Sequence, residues 1–149
     1  MRRKKALAWA LCALWMGVIF AMSAMPGDVS GEQSGTITQI ILAALSFVLG
    51  DRAAAVSPQA LEWLVRKGAH MAEYSVLFLL YRRALRLSGI KRPGLYAFLM
   101  SVAYAATDEF HQSFVEDRGP GAVDVAIDAL GAAAGWGISW ILASLKRKE

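Results

Sequence analysis

Apolar residues along this chain gather into long uncharged runs separated by short polar clusters, a pattern with helical rather than strand-like length. The first run, Ala6 to Met25, carries no charge and follows directly on Arg2, Arg3, Lys4 and Lys5. About 20 apolar residues in a helix reach across a hydrocarbon core of about 30 Å, so this run predicts a first membrane span. Ala21 and Ser23 have the small size of a signal-peptide cleavage site, but the run exceeds the roughly 7–15 apolar residues of such a peptide. Three further runs, Leu61 to Tyr81, Leu95 to Phe114 and Val123 to Leu145, are also long enough to span, with polar residues toward one end of each. Ile37 to Leu49 is apolar but only about a dozen residues long, which favours an interfacial or re-entrant helix; Thr36, Thr38 and Gln39 suit a headgroup boundary. The expectation is an all-α polytopic membrane bundle over 1–149, one domain, with spans at about 6–25, 61–81, 95–114 and 123–145 and a short helix at about 37–49.

Composition agrees, since 56% of the residues are hydrophobic and only 19% charged, too apolar for an ordinary soluble domain of 149 residues. The net charge of +4 does not point to nucleic acid, because the basic residues flank apolar runs without aromatic interleaving. Of the 16 basic residues, 12 fall in three clusters that four spans put on one side: Arg2 to Lys5, then Arg82, Arg83, Arg86, Lys91 and Arg92, then Lys146 to Lys148. Of the 12 acidic residues only Glu149 joins them. Lys and Arg collect on cytoplasmic flanks, so both termini are expected in the cytoplasm; a fifth span at Ile37 to Leu49 would scramble this sorting. Trp9, Trp63 and Trp140 fall near the expected interfaces. The single cysteine, Cys12, lies within the first run and reads as a buried, inert thiol.

Ionisable residues crowd the opposite ends of three of these helices, where each is costly in lipid unless it faces protein or water. In the second span Lys67, His70 and Tyr74 share a stripe, and Glu73 can pair with His70 one turn away. In the third, Ala97, Ser101, Tyr104, Asp108 and Gln112 recur at helical spacing, which turns Asp108 inward, with Glu109 and His111 flanking the stripe. In the fourth, Asp124 and Asp128 align with Gly131 and Gly135, whose spacing permits close helix contact. Gly119-Pro120-Gly121 makes the preceding connection tight and holds Arg118 near the same end, as a candidate partner for Asp124 or Asp108. The expected polar pocket is therefore Lys67, His70, Glu73, Asp108, Glu109, His111, Gln112, Arg118, Asp124 and Asp128.

Four ordered motifs carry a family resemblance: Ser23-Ala24-Met25-Pro26-Gly27, Arg66-Lys67-x-x-His70-x-x-Glu73-Tyr74, Asp108-Glu109-x-His111-Gln112-x-Phe114, and Arg118 through Asp124-x-x-x-Asp128-x-x-Gly131. Over nearly its whole length the chain resembles the VanZ-like family. The resemblance implies a bacterial multi-pass protein of the cell envelope, in a family named after a factor giving low-level resistance to the glycopeptide teicoplanin.

The residues themselves admit several functions. The pocket can bind or modify an envelope component, a lipid headgroup or lipid-linked cell-wall precursor, with Lys67 and Arg118 holding phosphate or carboxylate. Because acids outnumber bases there, an amine-bearing, sugar or divalent partner fits equally. A membrane-embedded hydrolase or transferase would use His70 or Glu73 as base; Ser23, Ser75, Ser101 and Ser113 lack a Gly-x-Ser-x-Gly setting, which disfavours acyl transfer. His70-x-x-Glu73 and Asp108-x-x-His111 have the one-turn spacing of bundle metal ligands, in the reverse order of the usual di-iron motif, and no metal or cofactor is expected. A purely structural or partner-binding role is the bland alternative, and transport is disfavoured because polar residues gather at one end only.

Overall fold

The computed structural model describes residues 2–119 and 121–145, so the third basic cluster, Lys146 to Lys148, lies outside the described residues, as does Pro120. Among them are five α-helices and no strand: α1 (Arg2–Ser23), α2 (Gly27–Leu49), α3 (Pro58–Leu87), α4 (Pro93–Gln112) and α5 (Ala122–Leu145), with a 3₁₀ helix (Gly50–Ala55) between α2 and α3. Local chemistry marks the boundaries. Pro58 and Pro93 open α3 and α4, where a missing N–H costs nothing, and the Ser57 hydroxyl accepts the Ala60 N–H at 3.3 Å. α3 stops at Gly89, which takes a left-handed φ of 79° while the Ile90 N–H donates back to the Leu85 carbonyl at 3.1 Å.

α3 is the hub and packs against all four other α-helices. Its buried face, Tyr74, Leu77, Phe78, Tyr81 and Ala84, meets Cys12 and Ile19 of α1, Ala97 and Ala105 of α4 and Ala132 of α5. α1 runs antiparallel to α3, the Trp9 indole donating to Ser88 Oγ at 3.1 Å and the Trp15 indole to the Glu73 carbonyl at 3.0 Å. α4 runs parallel to α1, with Tyr104 Oη donating to the Met16 carbonyl at 2.7 Å. α5 runs parallel to α3, and the small residues expected to allow close contact do so. A Cβ on Gly131 would collide with the Met71 backbone, and one on Gly135 would lie 2.7 Å from the Ser75 carbonyl oxygen. Ser75 Oγ donates to the Gly131 carbonyl at 2.6 Å across this contact.

α2 departs from the expectation. It is 23 residues long and begins at Gly27, not near Ile37, because Asp28, Glu32 and Gln33 stay exposed while the helix forms through them. It does not fold back along α1 either. Ser34 donates to Glu62 at 3.1 Å and accepts from Arg66 at 3.4 Å, so α2 meets α3 at positions preceding those that α1 meets. α2 thus continues the direction of α1 past the end of the bundle, and among the described helices it packs only on α3 and the 3₁₀ helix. α3, at 30 residues, reaches about 45 Å at 1.5 Å per residue and serves both partners.

By length and composition three helices are apolar enough to cross a membrane: α1, α2 with its 3₁₀ extension, and α5. α3 and α4, expected as spans from their apolar runs, fall short by that measure because they carry the bundle's ionisable residues, Arg66, Lys67, His70, Glu73, Asp108 and Glu109 among them.

Overpacking a close contact costs about 1–3 kcal/mol, so Gly131→Val should lower the melting temperature of the purified protein by several degrees. Gly137→Val, whose Cβ meets nothing within 4 Å, should not. Thermal unfolding of the two variants side by side checks this.

Candidate functional site

The end of α1, the middle of α3, the end of α4 and the start of α5 meet at one rim of the bundle, where the ionisable residues of the motifs collect. Asp108 is buried and points inward as its stripe requires, Oδ2 accepting from Ser23 Oγ at 2.7 Å and from Gln112 Nε2 at 3.1 Å; Gln112 also donates to Ser23 at 3.2 Å. Glu109 Oε2 accepts the Gly121 N–H at 3.2 Å, which pins the α4–α5 connection to α4. Lys67 pairs with Asp124 across the α3–α5 contact. One turn deeper, His70 Nδ1 lies 3.8 Å from both Glu73 Oε2 and Asp128 Oδ1. His70 Nδ1, Tyr74 Oη, Asp108 Oδ1 and Asp128 Oδ2 are buried without a protein partner. His111 turns elsewhere, its ring 4.3 Å from that of Phe20, while Phe110 and Phe114 near the helix end are exposed and pack edge to face at 5.2 Å.

Arg118 corrects one expectation. It pairs with neither Asp124 nor Asp108 but donates from Nε to the Met25 carbonyl at 3.1 Å and from Nη2 to the Met22 carbonyl at 3.4 Å. Carbonyls at a helix end lack intrahelical partners and carry the negative end of the dipole, so a guanidinium is favoured there. Lys67 already occupies Asp124, and Ser23 and Gln112 occupy Asp108. Burial pulls the Arg118 pKa down and the Arg66 guanidinium adds to this, while Asp108, Glu109 and Glu73 oppose it. The same corner needs Gly27, whose N–H donates to the Glu116 carbonyl at 3.1 Å and whose Cβ would collide with the Asp117 carbonyl.

Between the end of α1, the first half of α2 and α3 lies a cavity of about 120 Å³, well above the ~15 Å³ that one water needs. Met22, Met25, Ile37 and Val65 form an apolar wall; Arg66, Glu73 and Arg118 supply ionisable groups and His70 an imidazole. The cavity thus takes three of the ten expected pocket residues, His70, Glu73 and Arg118. Lys67, Asp108, Glu109, Gln112 and Asp124 form the engaged network behind it, Asp128 meets only His70 at 3.8 Å, and His111 sits apart. Sequence reading missed Arg66, Ser23 and the α2 residues. Arg66 was visible in principle, since 66, 70 and 73 follow helical spacing on one face of α3. Among the described residues, no group of three or more His, Cys, Asp or Glu is arranged to hold a metal ion.

Helices apolar enough for a membrane, closed at one end by a hydrogen-bonded network of ionisable side chains, define a membrane-like helical protein with a polar rim. The family model described as VanZ/LLP1 matches residues 8–143, nearly the whole chain, and the chain belongs to that family. No curated protein and no solved structure matches it.

The Lys67–Asp124 pair is partly buried, so removing one partner strands the other's charge. Lys67→Met and Asp124→Asn should each destabilise, whereas the double variant recovers part of the loss. A double-mutant cycle on unfolding should give a coupling of about 1–2 kcal/mol; zero coupling would refute the pairing.

Proposed function

We propose that the chain crosses the bacterial cytoplasmic membrane four times, through α1, the later part of α3, α4 and α5, with both termini in the cytoplasm, and that its outward rim binds the acidic headgroup of an envelope component. A membrane lipid or a lipid-linked cell-wall precursor is the ligand class. The observation that carries the reading is the rim cavity with Arg66 and Arg118 against an apolar wall. Only Arg52, Arg66, Lys67 and Arg118 among the 16 basic residues lie away from the three cytoplasmic clusters. Orientation alone disfavours cations on that side, so two of them at one cavity call for a local role. Guanidinium forks suit phosphate or carboxylate, and Lys67, expected to share this task, is held by Asp124 instead.

A second reading, modification of the bound component, is favoured by His70, a cavity residue whose Nδ1 is flanked by two carboxylates, the surroundings of a general base. It requires turnover that His70→Gln abolishes while lipid binding persists. A contribution to glycopeptide tolerance follows where the bound component belongs to cell-wall synthesis.

Lipid retained by the purified protein, quantified by native mass spectrometry, tests the binding reading. A hydrogen bond to a charged group contributes about 1.5–3 kcal/mol, so Arg66→Ala and Arg118→Ala should each cut retention of phosphate-bearing lipid about tenfold or more. Arg66→Ala leaves the α1 cap intact and should keep its folded yield. Full retention in both variants would remove the reading.

A further inference from the structure

We propose that the ligand's headgroup is zwitterionic: a phosphate held by Arg118 and Arg66 and, a short linker away, a primary ammonium held by Glu73. This rests on the acidic-headgroup reading and adds a second, oppositely charged recognition point to the same cavity. Sorting the rim's charges by whether the protein already occupies them leads there. Asp124 is taken by Lys67, Glu109 by the Gly121 N–H, Glu62 by Arg66 at 3.3 Å, and Asp108 Oδ2 by Ser23 and Gln112. Asp128 does not line the cavity. Among the described residues, Glu73 is the cavity's one carboxylate, and its side chain accepts no hydrogen bond from the protein; the His70 imidazole Nδ1 stands off at 3.8 Å.

The cations sort the same way. Arg118 spends Nε and Nη2 on the end of α1, which leaves Nη1, and Arg66 places Nη2 on Glu62 and Ser34 while its buried Nε has no acceptor. Two guanidiniums with donors to spare and one unengaged carboxylate therefore share a single cavity. A wholly anionic headgroup would satisfy the arginines but press its charge against Glu73, whose side chain is only 14% exposed and poorly screened. An ammonium on the same ligand removes that repulsion and supplies the missing partner, and fully complementary charges favour one headgroup over its neighbours. The apolar wall of Met22, Met25, Ile37 and Val65 suits the glycerol and first methylenes of a lipid.

The test measures binding of phosphatidylethanolamine, phosphatidylglycerol and phosphatidylcholine to the full-length protein in detergent micelles, with soluble phosphoethanolamine as competitor. Wild type should prefer phosphatidylethanolamine to phosphatidylglycerol about tenfold. Glu73→Gln should abolish that preference while still binding phosphatidylglycerol, and Arg118→Ala should weaken all three lipids. A quaternary amine cannot donate a hydrogen bond, so phosphatidylcholine should bind wild type more weakly than phosphatidylethanolamine, a comparison that needs no variant to fold. No preference in wild type, or a preference that survives Glu73→Gln, overturns the zwitterionic headgroup and leaves the phosphate reading standing. Failure of every phosphate lipid to bind overturns both. Competition by phosphoethanolamine at the lipid's own affinity overturns the lipid source; competition only at far higher concentration supports it.

Discussion

The backbone-to-backbone approach of α3 and α5 over Gly131 and Gly135 is the contact from which the rest of the structure follows. Between membrane helices there is little hydrophobic drive to associate, so close packing over small residues and interhelical hydrogen bonds must hold them. The Ser75 hydroxyl on the Gly131 carbonyl provides both at one place. With the two helices parallel and in this register, Lys67 falls opposite Asp124 and His70 opposite Asp128. α1 and α4 then fill the other flanks of α3 and bring Ser23 and Asp108 to the same level.

That shared level explains why so many charges coexist at one end of an apolar bundle. A buried carboxylate is tolerated when donors meet it, and Asp108, Glu109 and Asp124 each have one or more. Arg118 closes the rim by capping α1, and Gly27 lets the α4–α5 connection pass against the α1–α2 turn. Most of the polar network is thereby consumed by structure. Of the charged residues that line the cavity walled off by α2, Glu73 and donors on Arg66 and Arg118 remain unspent, and this uncommitted charge is where recognition of a headgroup is best supported.

Periodicity carried much of this. The inward turn of Asp108, the facing of Asp124, Asp128, Gly131 and Gly135 toward a neighbouring helix, and the burial of Cys12 all follow from positions along single helices. The misreadings share a cause, since each depends on a partner distant in sequence. Arg118 was assigned to a carboxylate because opposite charges attract, but the Met25 and Met22 carbonyls at the end of α1, more than ninety residues away, take its donors instead. α2 was read as starting at its apolar run, although helix formation extends back to Gly27 once Pro26 ends the turn after α1. Ser23 gave no sign of its role, because only the α1–α4 register sets it against Asp108.

The central claim, that every rim element opens to one side of the membrane, is tested most directly by cysteine accessibility in intact cells. In a Cys12→Ala background, single cysteines replacing Asp28 and Glu116 at the rim and Arg3 and Gly89 at the other end are treated with a membrane-impermeant maleimide. Labelling of positions 28 and 116 in intact cells, with 3 and 89 reacting only after permeabilisation, is the expected result. Positions 28 and 116 in opposite compartments would mean that α2 crosses the bilayer, and the rim as described could not exist.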